Sequence, residues 1–191
     1  MTRRTLLFLA QFSLLLSFSL GVAAHPPQTR DHLTAKEIDL VKDTQDLDKR
    51  IDVFIKAADR RLAVIKGMPA ANSKEQKKDE ELWGDLPAGS RSELVGDIAK
   101  ILDEAITNID DVSARDEKNP ALRRALRKLA AAANRIIEQL KPLQSSAKDA
   151  AEISNFEELI DNAETIVQAA GKLSPEVIQP RKSKGEKAKT N

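Results

Sequence analysis

The chain of 191 residues contains no cysteine and no tyrosine, and its only aromatic residues are five phenylalanines and one tryptophan. The lack of cysteine excludes a disulfide-stapled fold, a cysteine-ligated zinc site and a thiol nucleophile. Three of the phenylalanines lie within the first 24 residues, so the rest of the chain keeps only Phe54, Trp83 and Phe156. With so few aromatics, a stacking platform for nucleic-acid bases is also excluded.

The first 24 residues have the pattern of a cleaved secretory signal. Arg3 and Arg4 supply the positive start, residues 6–20 form an apolar core shorter than a membrane span, and the small residues 21–24 favour cleavage after Ala24. The arginine pair also resembles a twin-arginine signal, although the leucine-rich core favours the general secretion route. An uncleaved anchor is the alternative. We expect a soluble mature protein, secreted or periplasmic.

Glycine and proline divide the mature chain into segments whose apolar residues recur at helical spacing, and strand-like alternation is absent. The sequence therefore predicts an all-α protein, either an antiparallel up-down four-helix bundle or a set of long helical hairpins. The expected boundaries are a flexible N-terminus at 25–32, a helical body at 33–173 with helices A (33–66), B (90–114), C (120–141) and D (146–171), a long loop at 67–89, and a disordered basic tail at 174–191.

Each predicted helix carries one apolar stripe, and together the stripes predict the core. The stripe positions are Leu40, Thr44, Leu47, Ile51, Phe54, Ala58, Leu62 and Ile65 in A; Leu94, Ile98, Ile101, Ala105, Ile109 and Val112 in B; Leu122, Leu126, Leu129, Ala133, Ile136 and Leu140 in C; Phe156, Ile160, Ala163, Val167 and Ala170 in D. Helix B begins with a capping box of Ser90 and Glu93, and helix C begins at Asn119-Pro120. Helix D has two candidate starts, near Ser146 and near Ser154. Helix A is long enough to extend as a coiled coil, which predicts a dimer as an alternative.

Charge is unevenly distributed, although the 31 basic and 30 acidic residues nearly cancel. Helix B carries two basic and six acidic side chains, and residues 146–172, which include helix D, carry the same numbers. Helix C carries six basic and one acidic side chain. In an up-down bundle each helix flanks its neighbours in sequence, so basic C is expected to lie between acidic B and D. Because residues 25–178 have more acidic than basic side chains, no specific nucleic-acid partner is expected.

Few sequence motifs indicate catalysis or metal binding. If cleavage follows Ala24, His25 becomes the N-terminal residue and resembles the start of the copper-binding histidine brace found in some exported copper proteins. That resemblance implies copper bound by His25, with His32 completing a weak site, and a solvated N-terminus is the alternative. The chain has no nucleophile elbow, phosphate loop or zinc-protease motif, so we expect neither an enzyme nor an obligatory cofactor.

Two features indicate contact with other molecules. Leu82, Trp83 and Leu86 form an apolar cluster in the long loop, and they are predicted either to anchor a protein partner or to cover one end of the helical body. The tail has five cations suited to an anionic surface, namely Arg181, Lys182, Lys184, Lys187 and Lys189. The sequence thus favours an exported, non-catalytic helical-bundle protein that acts by contact with another protein or with itself. A periplasmic copper-binding protein using His25 is the alternative.

Overall fold

A computed structural model of the protein describes residues 30–67 and 80–173. Within these ranges the chain is helical and has no strand, which confirms the all-α class. The helices are α1 (Ala35–Asp43), α2 (Leu47–Ile65), α3 (Arg91–Arg115), α4 (Ala121–Gln144) and α5 (Ala150–Gly171). One further helical turn lies at residues 80–83. The predicted signal, the predicted cleavage site with His25, and the basic tail all lie outside the described residues.

The expected continuous helix over 33–66 is divided in two by a short break. Helix α1 stops at Thr44, whose hydroxyl donates to the carbonyl of Leu40 at 2.7 Å. Asp46 then caps α2 by accepting a hydrogen bond from the Lys49 amide at 3.1 Å. Arg50 donates to the Thr44 carbonyl at 2.8 Å, so a side chain of α2 satisfies a backbone group that the break leaves free. Capping residues thus override the apolar spacing, which runs through the break without interruption.

The other helix starts follow local capping rules. The Ser90–Glu93 capping box is present, with the Glu93 amide 3.2 Å from Ser90 Oγ and the Ser90 amide 2.7 Å from Glu93 Oε2. The side chain of Asn119 accepts from the Ala121 amide at the start of α4. Helix α5 is one continuous helix that starts at neither expected serine, because Asp149 accepts from the Glu152 amide at 2.8 Å.

The core is built from the apolar faces of α2, α3, α4 and α5. The predicted stripes of α2, α3 and α4 supply its most buried positions, including Phe54, Ile98 and Ile136. The buried face of α5 is rotated relative to the stripe predicted for helix D, because Ile160, Val167 and Ala170 are only partly buried. The buried face of α5 consists of Phe156, Leu159, Ala163 and Ile166. Steps of three and four fit both faces, so spacing alone did not distinguish them.

Helix α3 packs directly against α5, and the two run in the same direction. The side-chain amide of Asn155 donates to the Ser92 carbonyl at 2.9 Å, and that of Asn162 donates to the Ala99 carbonyl at 3.1 Å. A Cβ added at Gly96 would lie 3.1 Å from the Asn155 amide group, so glycine allows this close approach. The two acidic helices are therefore neighbours, and the prediction that basic helix C separates them is wrong.

The basic helix α4 instead forms ion pairs with α2, again in the parallel direction. Lys128 contacts Asp48 at 3.2 Å and Asp52 at 2.8 Å, and Arg135 contacts Asp59 at 2.8 Å. Helix α2 also packs against α3, while α2 and α5 do not contact each other. No described helix combines the length and apolar character needed to cross a membrane.

Candidate partner-binding segment

Residues 80–86, which we call the Trp83 segment, form one helical turn followed by three residues outside any helix or strand. The Gly84 amide donates to the Glu80 carbonyl at 2.8 Å and ends the turn. Gly84 has a φ of +69°, in the left-handed region where a side chain is strained. A Cβ at Gly84 would also lie 3.1 Å from Lys36 Cγ, so glycine here permits both the turn and the contact with α1.

Arg60 of α2 holds the backbone of this segment from within the protein. Its guanidinium donates to three consecutive carbonyls, those of Trp83 at 3.0 Å, Gly84 at 2.7 Å and Asp85 at 2.5 Å. The guanidinium carbon also lies 5.8 Å from the centroid of the Trp83 ring, within the range of a cation–π contact. Carbonyls at the end of a helical turn lack backbone partners, and one buried arginine satisfies them here.

Arg60 belongs to a buried cluster in which two cations face two anions. Glu37 of α1 accepts from Arg60 at 2.7 Å and from both terminal nitrogens of Arg61 at 3.0 and 2.9 Å. Arg61 also donates to the Ala57 carbonyl, and its Nε lies 3.6 Å from Asp97 Oδ2 of α3. All four charged side chains are buried, and pairing of this kind offsets the cost of removing them from water.

The electrostatics of Glu37 follow from these contacts. Burial raises the pKa of the carboxyl, because the charged form loses its hydration. The hydrogen bonds from Arg61 and the Thr34 amide, together with the charges of Arg61 and Arg60, outweigh this effect and hold the pKa of Glu37 below its ordinary value. Glu37 is therefore a carboxylate at neutral pH and serves as the shared counter-charge of both arginines.

A second polar cluster joins the starts of α3 and α5. Arg91 contacts Glu152 and donates to the Ser146 carbonyl at 3.0 Å, while Glu152 also accepts from the Lys148 amide at 2.9 Å. The hydrogen bond from Arg91 and that from the Lys148 amide lower the pKa of Glu152. Leu86 lies five residues before Arg91, so the Trp83 segment leads into this end of the molecule.

The three predicted partner-binding residues differ from one another in their exposure to solvent. Trp83 is 8% exposed and lies in the core cluster, whereas Leu82 is 55% exposed and Leu86 is 42% exposed. Within the described ranges, Ile153 in the first turn of α5 is the other large apolar side chain with high exposure. Trp83 thus secures the segment from inside, and Leu82 and Leu86 are the members left accessible to a partner.

Sequence reasoning missed Glu37, Arg60, Arg61 and Asp97, the charged residues that hold the segment. The sequence pattern does indicate buried charge at these positions, because Arg60 and Arg61 lie between the core residues Ala58 and Leu62. Asp97 likewise interrupts a run of buried residues from 94 to 99. A charge inside an apolar run is rarely buried alone, so each of these positions predicts a buried counter-charge without naming it.

Of the two histidines named for copper, only His32 lies within the described residues. Its Nε2 is 2.7 Å from Glu104 Oε2 on α3, a contact that ties the start of the described chain to the helical body. Across 30–67 and 80–173, no three His, Cys, Asp or Glu side chains converge as metal ligands do. His25 and the tail cations Arg181, Lys182, Lys184, Lys187 and Lys189 lie outside these ranges.

Comparisons with protein-family models, with curated proteins and with solved structures found no match for this chain.

Proposed function

We propose that this is an exported, non-catalytic helical-bundle protein that acts by contact with another protein or with a second copy of itself. The observation that carries the proposal is the pair of exposed leucines, Leu82 and Leu86, on a backbone held by buried Arg60. Exposed apolar side chains on a fixed backbone are typical of binding sites, because little conformational entropy is lost when a partner binds.

The proposed four-helix bundle consists of α2, α3, α4 and α5. It is supported by their shared apolar core, to which each of these helices contributes buried residues. The neighbour order differs from that of a simple up-down bundle, because parallel helices lie side by side as α2 with α4 and α3 with α5. Export is supported by the signal pattern in the first 24 residues, with its two arginines, apolar core and small residues before His25.

The contact is expected to be small and selective. Burying one leucine side chain contributes roughly 1.5–3 kcal/mol, so two leucines support a modest affinity once the cost of association is subtracted. The acidic side chains of Glu80, Glu81 and Asp85 surround the leucines and are exposed. Charges at the rim of an interface act mainly on partner choice and on the rate of association.

The proposal is tested by photo-crosslinking in the native cell. A photoreactive residue at Leu86 is compared with one at Glu164, an exposed position on α5 that serves as the matched control. We expect a covalent adduct of defined mass from position 86 and none from position 164. Equal labelling at both positions, or no adduct at position 86, contradicts a role in protein contact.

A further inference from the structure

The Trp83 segment combines exposed apolar and acidic side chains in a short stretch. Leu82 and Leu86 are exposed, and the exposed carboxylates of Glu80, Glu81 and Asp85 lie before and between them. Within this segment Arg60 contacts the backbone carbonyls of residues 83–85 and the buried ring of Trp83, so it leaves the exposed side chains open. A ligand for such a surface needs aliphatic side chains followed closely by cations.

We infer that the ligand is the C-terminal segment 177–189 of a second copy of this chain. This inference rests on the proposed function and names its partner. The segment begins with the aliphatic pair Val177-Ile178 and continues with five cations and one acidic residue, Glu186. Its order of apolar residues and then positive charge matches the chemistry of the Trp83 segment. The apolar cluster of one copy and the basic tail of another thereby form the two sides of one interface.

Geometry favours a second copy over the same chain. Helix α5 ends at Gly171, and Ile178 lies seven residues further on, a reach of at most about 25 Å when fully extended. Asp97 marks the height of the Trp83 segment along the helices, because it pairs with Arg61, the neighbour of Arg60. The hydrogen bond of Asn162 with Ala99 places Asp97 level with position 160 of α5, so the tail must return about 16 Å along α5. It must also pass around α3 or α4 to α2, about another 20 Å, because α5 and α2 do not touch. The two displacements combine to about 26 Å, slightly more than full extension allows, so Ile178 of a second copy reaches the Trp83 segment more readily than Ile178 of the same chain.

Such a contact joins two different surfaces, the tail of one copy and the Trp83 segment of the next. A heterologous contact of this kind extends from copy to copy unless the rotation between copies closes a ring. Association should therefore grow with protein concentration. It should weaken with salt, because exposed charges are screened within about 10 Å at 0.1 M ionic strength.

The test is sedimentation of the full mature chain over a wide range of concentration, at about 0.05 M and about 0.5 M salt. One variant reverses tail charge (Lys182→Glu, Lys184→Glu and Lys187→Glu), and another reverses patch charge (Glu80→Lys, Glu81→Lys and Asp85→Lys). We expect each to weaken self-association at least about tenfold and their combination to restore it. The control reverses three exposed carboxylates of α5 (Glu157→Lys, Glu158→Lys and Asp161→Lys) and should leave association unchanged. Thermal melting of every variant reports whether its fold is intact.

A chain that stays monomeric at all concentrations overturns the inference, as does association that neither reversal affects. Weakening by both reversals without restoration in the combined variant also counts against a direct pairing. These outcomes separate the inference from the proposed function. If crosslinking from Leu86 yields an adduct with a different protein and none with a second copy, the function stands and the inference fails. If it yields no adduct, both fail.

Discussion

At the scale of single residues, the main feature is a buried carboxylate that serves two arginines. Glu37 is fully buried, and its two oxygens together accept from Arg60 and Arg61. Arg60 in turn holds the Trp83 segment, so a residue of α1 supplies the counter-charge on which the proposed binding surface depends. Removing one member of a buried ion pair leaves an uncompensated charge in the interior, which is the costly outcome.

We therefore expect Glu37→Gln to lower the free energy of unfolding by about 3–5 kcal/mol at neutral pH. Because the pKa of Glu37 is lowered by folding, the unfolded chain takes up the proton first as pH falls. The stability that Glu37 provides is thus complete above the ordinary pKa of a glutamate side chain and declines as pH drops toward the lower pKa of the folded state. Urea unfolding between neutral pH and pH ~3, followed by circular dichroism, should show the variant and the wild type converging at the acid end.

The control is Glu138→Gln, which removes an exposed carboxylate of α4 and should change stability by less than about 0.5 kcal/mol. A gap between Glu37→Gln and wild type that stays constant with pH would show that the charge of Glu37 is not what stabilises the cluster.

At the scale of helices, α3 and α5 are matched to each other by small and polar residues. Asn155 and Asn162 are seven residues apart, and so are Ser92 and Ala99, whose carbonyls accept their hydrogen bonds. Gly96 lies between these two levels and contacts Asn155. The seven-residue repeat places both asparagines on one face of α5, so they set the register of two parallel helices.

We expect Gly96→Val to destabilise the protein by roughly 1–3 kcal/mol, because its side chain would overlap the Asn155 amide in a closely packed contact. Adding Asn155→Ala should recover part of the loss, since the smaller side chain makes room. Thermal melting of both single variants and of the double variant measures this coupling.

Gly171 provides the matched control, because a Cβ at that position meets nothing within 4 Å. Gly171→Val should leave the melting temperature nearly unchanged. Strictly additive effects of Gly96→Val and Asn155→Ala would contradict direct contact between these two positions.

At the scale of the whole molecule, the arrangement of helices places parallel pairs side by side. The ion pairs of α4 with α2 involve partly exposed side chains, and such pairs contribute at most about 1 kcal/mol each. The buried apolar faces, together with the hydrogen bonds between α3 and α5, therefore determine which helices become neighbours. Charge follows this arrangement rather than directing it.

The arrangement predicts which pairs of introduced cysteines can form a disulfide, in a chain whose natural sequence has none. Ser92→Cys combined with Asn155→Cys should crosslink within one chain, because the two side chains lie within hydrogen-bonding distance, at 3.2 Å. Ser92→Cys combined with Gln168→Cys should not, because parallel helices place position 168 about 20 Å further along α5. Non-reducing electrophoresis and mass spectrometry distinguish the two variants. Preferential crosslinking of the second pair would rule out the parallel arrangement.

Much of the fold could be predicted from short stretches of sequence. The capping box of Ser90 and Glu93 depends on residues within one helical turn, and the stripes of α2, α3 and α4 depend on spacing within one segment. The break at Thr44 could not be predicted in this way, because the apolar spacing continues through it. The start of α5 was also mislocated, because Asp149 competed with two equally suitable serines.

The sequence by itself determined that the described chain is helical and where most apolar faces lie, because these properties arise between residues three or four positions apart. The tertiary structure alone decided that α3 lies beside α5, that Phe156 is joined in the core by Leu159 rather than Ile160, and that Trp83 lies inward while Leu82 and Leu86 lie outward. It also decided that Glu37 meets Arg60 and Arg61 across more than twenty residues of chain. These contacts depend on which surfaces pack together between segments that are distant in sequence. The residue pattern within one segment does not specify the segment against which it packs.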